Sequence, residues 1–408
     1  MRNYILPTAL ALSCVSATAL ADVQVTENTT VGGLAFFDVS HISLKNDDKN
    51  GNEVDTAPTG TGFDIKRFYL IVNHQFNSVW SANLTTDAQY STAATTSVPT
   101  TAGGTTNALT NQNTSGGVTE VMIKKLYLQY KPQKEFGLRV GAADTPWIPW
   151  VESIYGNRWV EKLPLDRLGL GNTADWGANA YGSFGEHDVA GYSLSVLNGG
   201  GYKNPSRTKD VDVEGRVYVN PIEWLTVGAG FYSGHLGQVN ATNENFPTNT
   251  ANRFDAAFGV KFSGFKLGGE YFTAKNYKTV NNLAASAYGT SSVVTASGAA
   301  PVSDKAEGGA IWASFAFTPE WSVFARFDDV KLSKDVAPDL KDEYANAGID
   351  YKPIPSVDVG LVYKYEKVKN GSTPISSADA NGSYTIGGAT GTGDGKFNEI
   401  GIYVRWGF

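Results

Sequence analysis

The sequence predicts an all-β chain, a transmembrane antiparallel β-barrel of about sixteen strands. Three observations predict it. Apolar residues alternate with charged residues and glycine along many segments, the period-two mark of strands with unlike faces. Short turns alternate with long polar segments along the chain. The last ten residues form one more such strand and stop on an aromatic. Bulk composition reads differently at first. Apolar residues make up 41% of the 408, and the mean hydropathy is −0.23, which resembles a soluble protein. No apolar run reaches the roughly 18 residues a spanning helix needs, which excludes helices only. A lipid-facing face averaged with a wet lumen and solvated loops gives such a hydropathy. With 9 Trp, 20 Tyr and 20 Phe, the chain has too much apolar surface to stay disordered. Its formal charge of −7 argues against a nucleic-acid partner.

Residues 1–21 read as a secretory signal peptide, outside the fold. Arg2 is a short positive region, Ile5 to Ala17 is mostly apolar, and Ala19-Leu20-Ala21 is an A-x-A cleavage site. Asp22 is then the expected first mature residue, and 22–408 a single barrel. The one cysteine, Cys14, falls in the removed segment, so thiol and disulfide chemistry are not expected. At the other end Ile400, Ile402, Val404, Trp406 and Phe408 share one face. Glu399, Gly401, Tyr403, Arg405 and Gly407 share the other. A strand with one apolar and one charged face separates lipid from water.

Similar strands recur. Val211, Val213, Gly215, Val217 and Val219 oppose Asp212, Glu214, Arg216 and Tyr218. Phe254 to Phe262 and Val357 to Tyr365 alternate in the same way. Short turns are expected near Asn77-Ser78, Pro132-Gln133, Gly185-Glu186, Asn220-Pro221, Ser263-Gly264, Thr318-Pro319 and Pro353-Pro355. Between them lie long polar segments near 46–61, 92–117, 144–173, 199–209, 236–251, 274–304, 332–341 and 370–395. Seven turns and eight long segments join sixteen strands, with both termini on one side. Two segments, 92–117 and 281–303, are low-complexity Thr/Ser/Gly/Ala/Asn tracts, which suit solvated outer loops. Aromatics gather beside the short turns: Phe76 and Trp80, Phe184, Trp224, Phe262 and Phe265, Phe317 and Trp321, Tyr351 and Phe408. There they would form an interfacial girdle. Sixteen closed strands leave room for an aqueous channel.

The stretch 136–201 carries the most information. Phe136, Leu138, Val140 and Ala142 form a lipid face, with Arg139 and Gly141 inward. Thr145-Pro146-Trp147 leads into a loop of about thirty residues, and Asp175-Trp176-Gly177 and Asn198-Gly199-Gly200-Gly201 follow. With the inward pair Arg326 and Asp328, this order resembles the general and phosphate-selective porins of the Gram-negative outer membrane. The architectural likeness covers nearly the whole mature chain. It implies that the third outer loop, 144–173, folds into the barrel and narrows it. It implies a homotrimer in outer-membrane lipid, with Phe408 and Trp406 read by the barrel assembly machinery. It also implies passive passage of small hydrophilic solutes and ions, without a cofactor.

A constriction sorts solutes by width and by the field of its charged side chains. The candidates on the loop are Glu152, Arg158, Glu161, Lys162, Asp166 and Arg167. Those on the wall are Arg67, Lys125, Arg139, Arg216 and Arg326 with Asp328. The alternative role for the loop charges is to pair with one another and hold the loop in place. A channel selective for phosphate or another small organic anion would need a ladder of Arg and Lys along its path. Here the inward set also includes Asp87, Asp175, Asp212, Glu214, Asp255, Glu270, Asp350, Asp358 and Glu366, so the lumen reads as mixed. His41, His74, His187 and His235 lie far apart, and no zinc spacing or nucleophile elbow appears. No enzyme or metal site is expected. A structural or adhesive barrel with a filled lumen, or a soluble secreted β-protein, are the readings of other classes.

Overall fold

The computed structural model describes residues 23–91, 118–237, 249–277, 303–375, 384–388 and 393–408. The signal-peptide expectation, the tract 92–117 and nearly all of 281–303 lie outside them. Strands are β1 (Val23–Thr26), β2 (Thr29–Asp47), β3 (Glu53–Gln75), β4 (Trp80–Ser91), β5 (Val118–Gln133) and β6 (Phe136–Asp144). They continue with β7 (Ala174–Phe184), β8 (Ala190–Leu197), β9 (Asp212–Ile222), β10 (Leu225–Gly234), β11 (Ala251–Phe262) and β12 (Phe265–Lys275). Next come β13 (Lys305–Ala316), β14 (Trp321–Lys331), β15 (Lys341–Ile354) and β16 (Val357–Lys369), then a small hairpin of β17 (Ser372–Ile375) and β18 (Tyr384–Gly387). β19 (Gly395–Gly407) is last. Each strand from β2 to β15 pairs antiparallel with its successor, and β19 pairs with both β16 and β2. The sheet is thus a closed barrel of sixteen strands with no open edge, the condition for crossing hydrocarbon.

Closure is fixed at the chain end. Phe408 and Gly33 exchange backbone hydrogen bonds of 2.9 and 3.0 Å. The Phe408 ring covers Gly33 and stacks on Trp406 at 5.8 Å. The expected alternation holds along the strands. Val217 (60% exposed), Phe254 (51%), Leu361 (54%) and Ile400 (52%) point outward. Their neighbours Arg216, Asp255, Gly360 and Glu399 point in, and Asp255 and Glu399 are almost fully buried. The turn-side aromatics Phe76, Trp80, Phe184, Trp224, Phe262, Phe265, Phe317, Trp321 and Tyr351 are all exposed, as a girdle requires.

Three expectations need correction. The segment 46–61 is not a long loop. β2 runs to Asp47, β3 resumes at Glu53, and Thr56, Asp55 and Val54 pair with Leu44, Lys45 and Asn46. A strand spans hydrocarbon in about ten residues, so the 19 and 23 residues of β2 and β3 rise well beyond it as a ribbon. Polar Thr and Gly there need no apolar face, because the backbone ladder holds the ribbon. Several turns also sit later than expected. Pro132-Gln133 and Asn220-Pro221 still belong to β5 and β9, and Pro353 belongs to β15. Finally, the alternation slips at two bulges. Lys66 is an extra residue between the pairs Phe36/Arg67 and Phe37/Ile65. Lys124 is an extra residue between Thr85/Lys125 and Thr86/Ile123.

Candidate functional site

The loop between β6 and β7 carries two short helices, α1 (Ile148–Tyr155) and α2 (Pro164–Arg167). Its neck is closed by Thr145, whose hydroxyl donates to the Asn172 carbonyl at 2.5 Å and whose amide donates to Thr173 at 3.2 Å. Pro149 in the first turn suits a helix start. Gly156, at φ 80°, ends α1 in the left-handed conformation, and its amide returns to the Glu152 carbonyl. Trp147, Ile148, Val151, Val160, Leu163, Leu165, Leu168 and Leu170 are almost wholly buried. Burial of each such side chain stabilises the loop by about 1.5–3 kcal/mol at most.

What buries them is the inner face of the far wall. Trp150 lies on Gly228, Ile154 on Gly259 and Trp159 on Gly360; a Cβ at any of these positions would overlap the loop. Polar anchors surround these seats. The Trp147 amide donates to Glu214 at 3.0 Å. Arg216 donates to the Pro146 carbonyl at 2.8 Å and stacks over Trp150. Arg253 bridges Glu214, Asp255 and the Leu170 carbonyl. Arg167 donates to Asp342 at 2.6 Å, to Asp328 at 3.3 Å and to Glu366. Arg326 binds Asp328 and reaches the Glu161 carbonyl at 3.4 Å. Lys364 sits between Glu161 at 3.1 Å and Glu399 at 3.0 Å. The loop is therefore fastened to β9, β10, β11, β14, β15 and β16.

The opposite side of the loop faces β3, β4 and β5. Arg158 pairs with Glu152 at 2.7 Å and Asp166 at 3.2 Å, and Lys162 stands 3.7 Å from Asp166. On the wall, Arg67 lies 3.8 Å from Asp87, which also accepts from the Tyr202 hydroxyl at 2.9 Å. Lys124 donates to the Tyr69 hydroxyl at 3.3 Å and lies over that ring. Lys125 pairs with Asp144 at 2.6 Å. Arg139 is stacked between Tyr127 and Tyr181 and donates to Gln129. Burial pushes the Lys162 amine down to about 8, with Arg67 and Arg158 adding to it and Asp166 opposing. Burial raises the Glu161 carboxyl, but Lys364 and Lys66 outweigh that and bring it to about 2. Among the described residues no group of carboxylates or histidines is placed to hold a metal ion.

All twelve charged residues singled out in the sequence lie on the loop or on the inward face. The structure separates them into two sets. Glu161, Arg167, Arg216, Arg326 and Asp328 hold the loop to the far wall; Arg67, Glu152, Arg158, Lys162 and Asp166 meet across the near side. Lys125 and Arg139 stand beside the latter on β5 and β6. Sequence reasoning missed Lys66 and Lys124, which a strict alternation turns outward. The signal was present as a phase break: apolar positions 63 and 65 give way to 68 and 70, and 121 and 123 to 126 and 128. It also missed the glycine seats.

Solved structures share this architecture. The anion-selective porin from Comamonas acidovorans superposes with a TM-score of 0.58 at 11% identity, over 93% of this chain and 99% of that one. OmpF of Salmonella typhi, solved with daunomycin, gives 0.58 at 12% identity over 95% and 100%. OmpT of Vibrio cholerae in a trimer form gives 0.52 at 11% identity over 94% and 100%. No family model matches the sequence, and neither does any curated protein. At such identities the likeness is one of fold, the sixteen-stranded porin barrel.

Proposed function

We propose that this chain is an outer-membrane porin, a water-filled channel through which small hydrophilic solutes and ions diffuse passively. One observation carries the reading: the loop 144–173 lies against one half of the inner wall and leaves charged side chains toward the other. On the fastened side the ion pairs are dry, with Arg167, Asp328 and Asp342 at 0% side-chain exposure. On the near side Lys125 and Asp144 are 23% and 30% exposed. Water thus reaches the interior between the loop and β3 to β6, and that gap is the channel's narrowest part. The barrel is exported by residues 1–21, sits in outer-membrane lipid through its apolar belt, and assembles as a homotrimer. The Phe408 and Trp406 end is the part the barrel assembly machinery reads. Catalysis has no place in this reading.

Purified protein in planar bilayers is expected to give stepwise conductance; a lumen filled by side chains would give none and would end the proposal. Removal of residues 150–168 is expected to enlarge the steps. Unchanged steps would take the constriction role from the loop.

A further inference from the structure

We propose that the lipid-facing surface of β10 to β14 holds an acylated, phosphorylated glycolipid of the outer leaflet, with an acyl chain in a groove over Ala256 and Gly269 and its phosphates on Lys275, Lys305 and Lys331. The inference goes beyond the channel reading and needs only that the barrel crosses the outer membrane. It starts from strand length. β12 and β14 each run 11 residues from a turn-side aromatic, Phe265 or Trp321, to a lysine, Lys275 or Lys331. On the antiparallel neighbours β13 and β15, Phe315 and Tyr351 lie opposite those aromatics, and Lys305 and Lys341 opposite those lysines. Such a strand, at ~3.3 Å per residue and inclined by ~40°, rises about 25 Å, the height of the apolar band. The four lysines therefore stand where hydrocarbon gives way to headgroups, on the side of the long segments. Like charges directly opposite one another destabilise a sheet, and a phosphate lying against them offsets this. The row stops at β11 and β10, which carry Asn252 and Ser233 at that level.

The carboxylates beside this row are already engaged. Glu307, the one carboxylate on the outward face of β12 and β13, is shared by Lys305 at 3.3 Å and by Lys334. Asp329 on β14 pairs with Lys341 at 2.8 Å. Glu343 on β15 lies between Lys341 at 2.9 Å and Lys369 at 2.7 Å. Asp335 stands on the turn after Lys334 and acts on that lysine. Lys275 and Lys331 are exposed and make no ion pair among the described residues. These two, with Lys305 between them in strand order, are the cations open to a lipid phosphate.

A second, independent feature lies below them on the same strands. A groove of about 360 Å³ is walled by Val227, Phe258, Tyr271 and Ile311 and floored by Ala256 and Gly269. Register makes the gap: Gly269 lies between Phe258 and Ile311 on one level, and Ala256 beside Tyr271 on the next. No residue of the loop 144–173 lines it, and Val227, Tyr271 and Ile311 are outward and exposed, so it opens to lipid. An unfilled groove forfeits dispersion contacts along its whole lining. Gly269 to Lys275 spans about 20 Å of strand, within reach of one acyl chain whose head is held by the lysines. Two lysine pairs side by side, Lys275 with Lys305 and Lys331 with Lys341, suit a head that carries more than one phosphate. That favours a phosphorylated glycolipid over a phospholipid with a single phosphate.

Native mass spectrometry of the full chain in detergent, with bisphosphorylated lipid A as the added lipid, tests this. The apparent affinity for the first molecule bound is expected to fall about fivefold in each of Lys275→Gln, Lys305→Gln and Lys331→Gln, the worth of one lysine near a charged lipid surface. Ala256→Leu fills the groove, leaves every lysine in place and is expected to lower the affinity as well. Dephosphorylated lipid A and phosphatidylglycerol are expected to bind more weakly than lipid A. Lys396→Gln, on the outward face of β19 and away from the groove, is expected to bind as the unaltered chain does. No loss in the three lysine variants, an equal loss in Lys396→Gln, or phosphatidylglycerol bound as tightly as lipid A would each overturn the inference. Unchanged affinity in Ala256→Leu would overturn it too, and an oligomer split by that variant would then give the groove to a second copy. Conductance steps are expected to be the same in all these variants. Absence of conductance would end the channel reading and leave the lipid site to be judged on binding alone.

Discussion

The two sides of the loop 144–173 are built from the same residue types and behave oppositely. Toward β14 to β16, Arg167 lies among Asp328, Asp342 and Glu366, all fully buried. Toward β3 to β5, Arg158 lies between Glu152 and Asp166 and keeps 16% of its side chain exposed. Sequence alone does not tell a rivet from a filter, because each is an arginine beside acids. Burial makes the difference. A buried pair fixes position, since losing one partner strands the other in a poor dielectric. A wet pair stays available to a passing solute, and its field is what the solute senses.

The largest effect should come from breaking the dry side. Arg167→Ala takes the cation from Asp342 and Glu366 beneath the loop and leaves Asp328 to Arg326 alone, a loss of about 3–5 kcal/mol when a buried partner is removed. We expect a lower thermal midpoint in detergent and larger conductance steps, because the loop's C-terminal half is released. If the steps keep their size, the Arg167 contacts do not hold the constriction. A smaller version of the same test fills a seat. Gly228→Leu would place a side chain where the Trp150 ring lies, at an overpacking cost of about 1–3 kcal/mol. The loop is then pushed toward β3 to β5, so smaller or noisier steps are expected. Larger steps would mean that α1 detaches instead of shifting.

The fold was legible in the sequence to an unusual degree, because lipid enforces alternation on each spanning strand. Val217, Phe254, Leu361 and Ile400 could be placed outward from period two alone. The loop's presence was legible too, from Thr145-Pro146-Trp147 and the charges after it. Its docking came only from the family resemblance, and the contacts that hold it were not legible. Glu161 meets Lys364 at a separation of 203 residues, and Arg167 meets Asp328 at 161. No local pattern specifies such pairs. The bulges at Lys66 and Lys124 stood between these extremes. Their phase breaks were visible, but only hydrogen-bond register shows which residue is the extra one. The ribbon 46–61 was misread because Thr, Gly and Asp lower apolar content without stopping backbone pairing.

The smallest expected effect sharpens the wet side. Lys162 is 4% exposed, and its amine is pushed down to about 8 by burial first, then by Arg67 and Arg158, with Asp166 and Glu161 pulling the other way. Below that pH it is charged and adds a cation to the gap; above it the amine is neutral and the gap loses one. The chloride-to-potassium permeability ratio should therefore fall as pH rises from 7 to 9, while Arg67 and Arg158 keep their charge throughout. Folding carries the matching sign. The folded value lies below that of an unfolded lysine, so between about 8 and 10.5 the unfolded chain binds the extra proton and stability rises with pH. In Lys162→Gln both trends should vanish, and the permeability ratio at pH 7 should match that of the unaltered channel at pH 9. A pH profile that survives in Lys162→Gln would place the titrating group elsewhere and return Lys162 to the set of residues that only hold the loop.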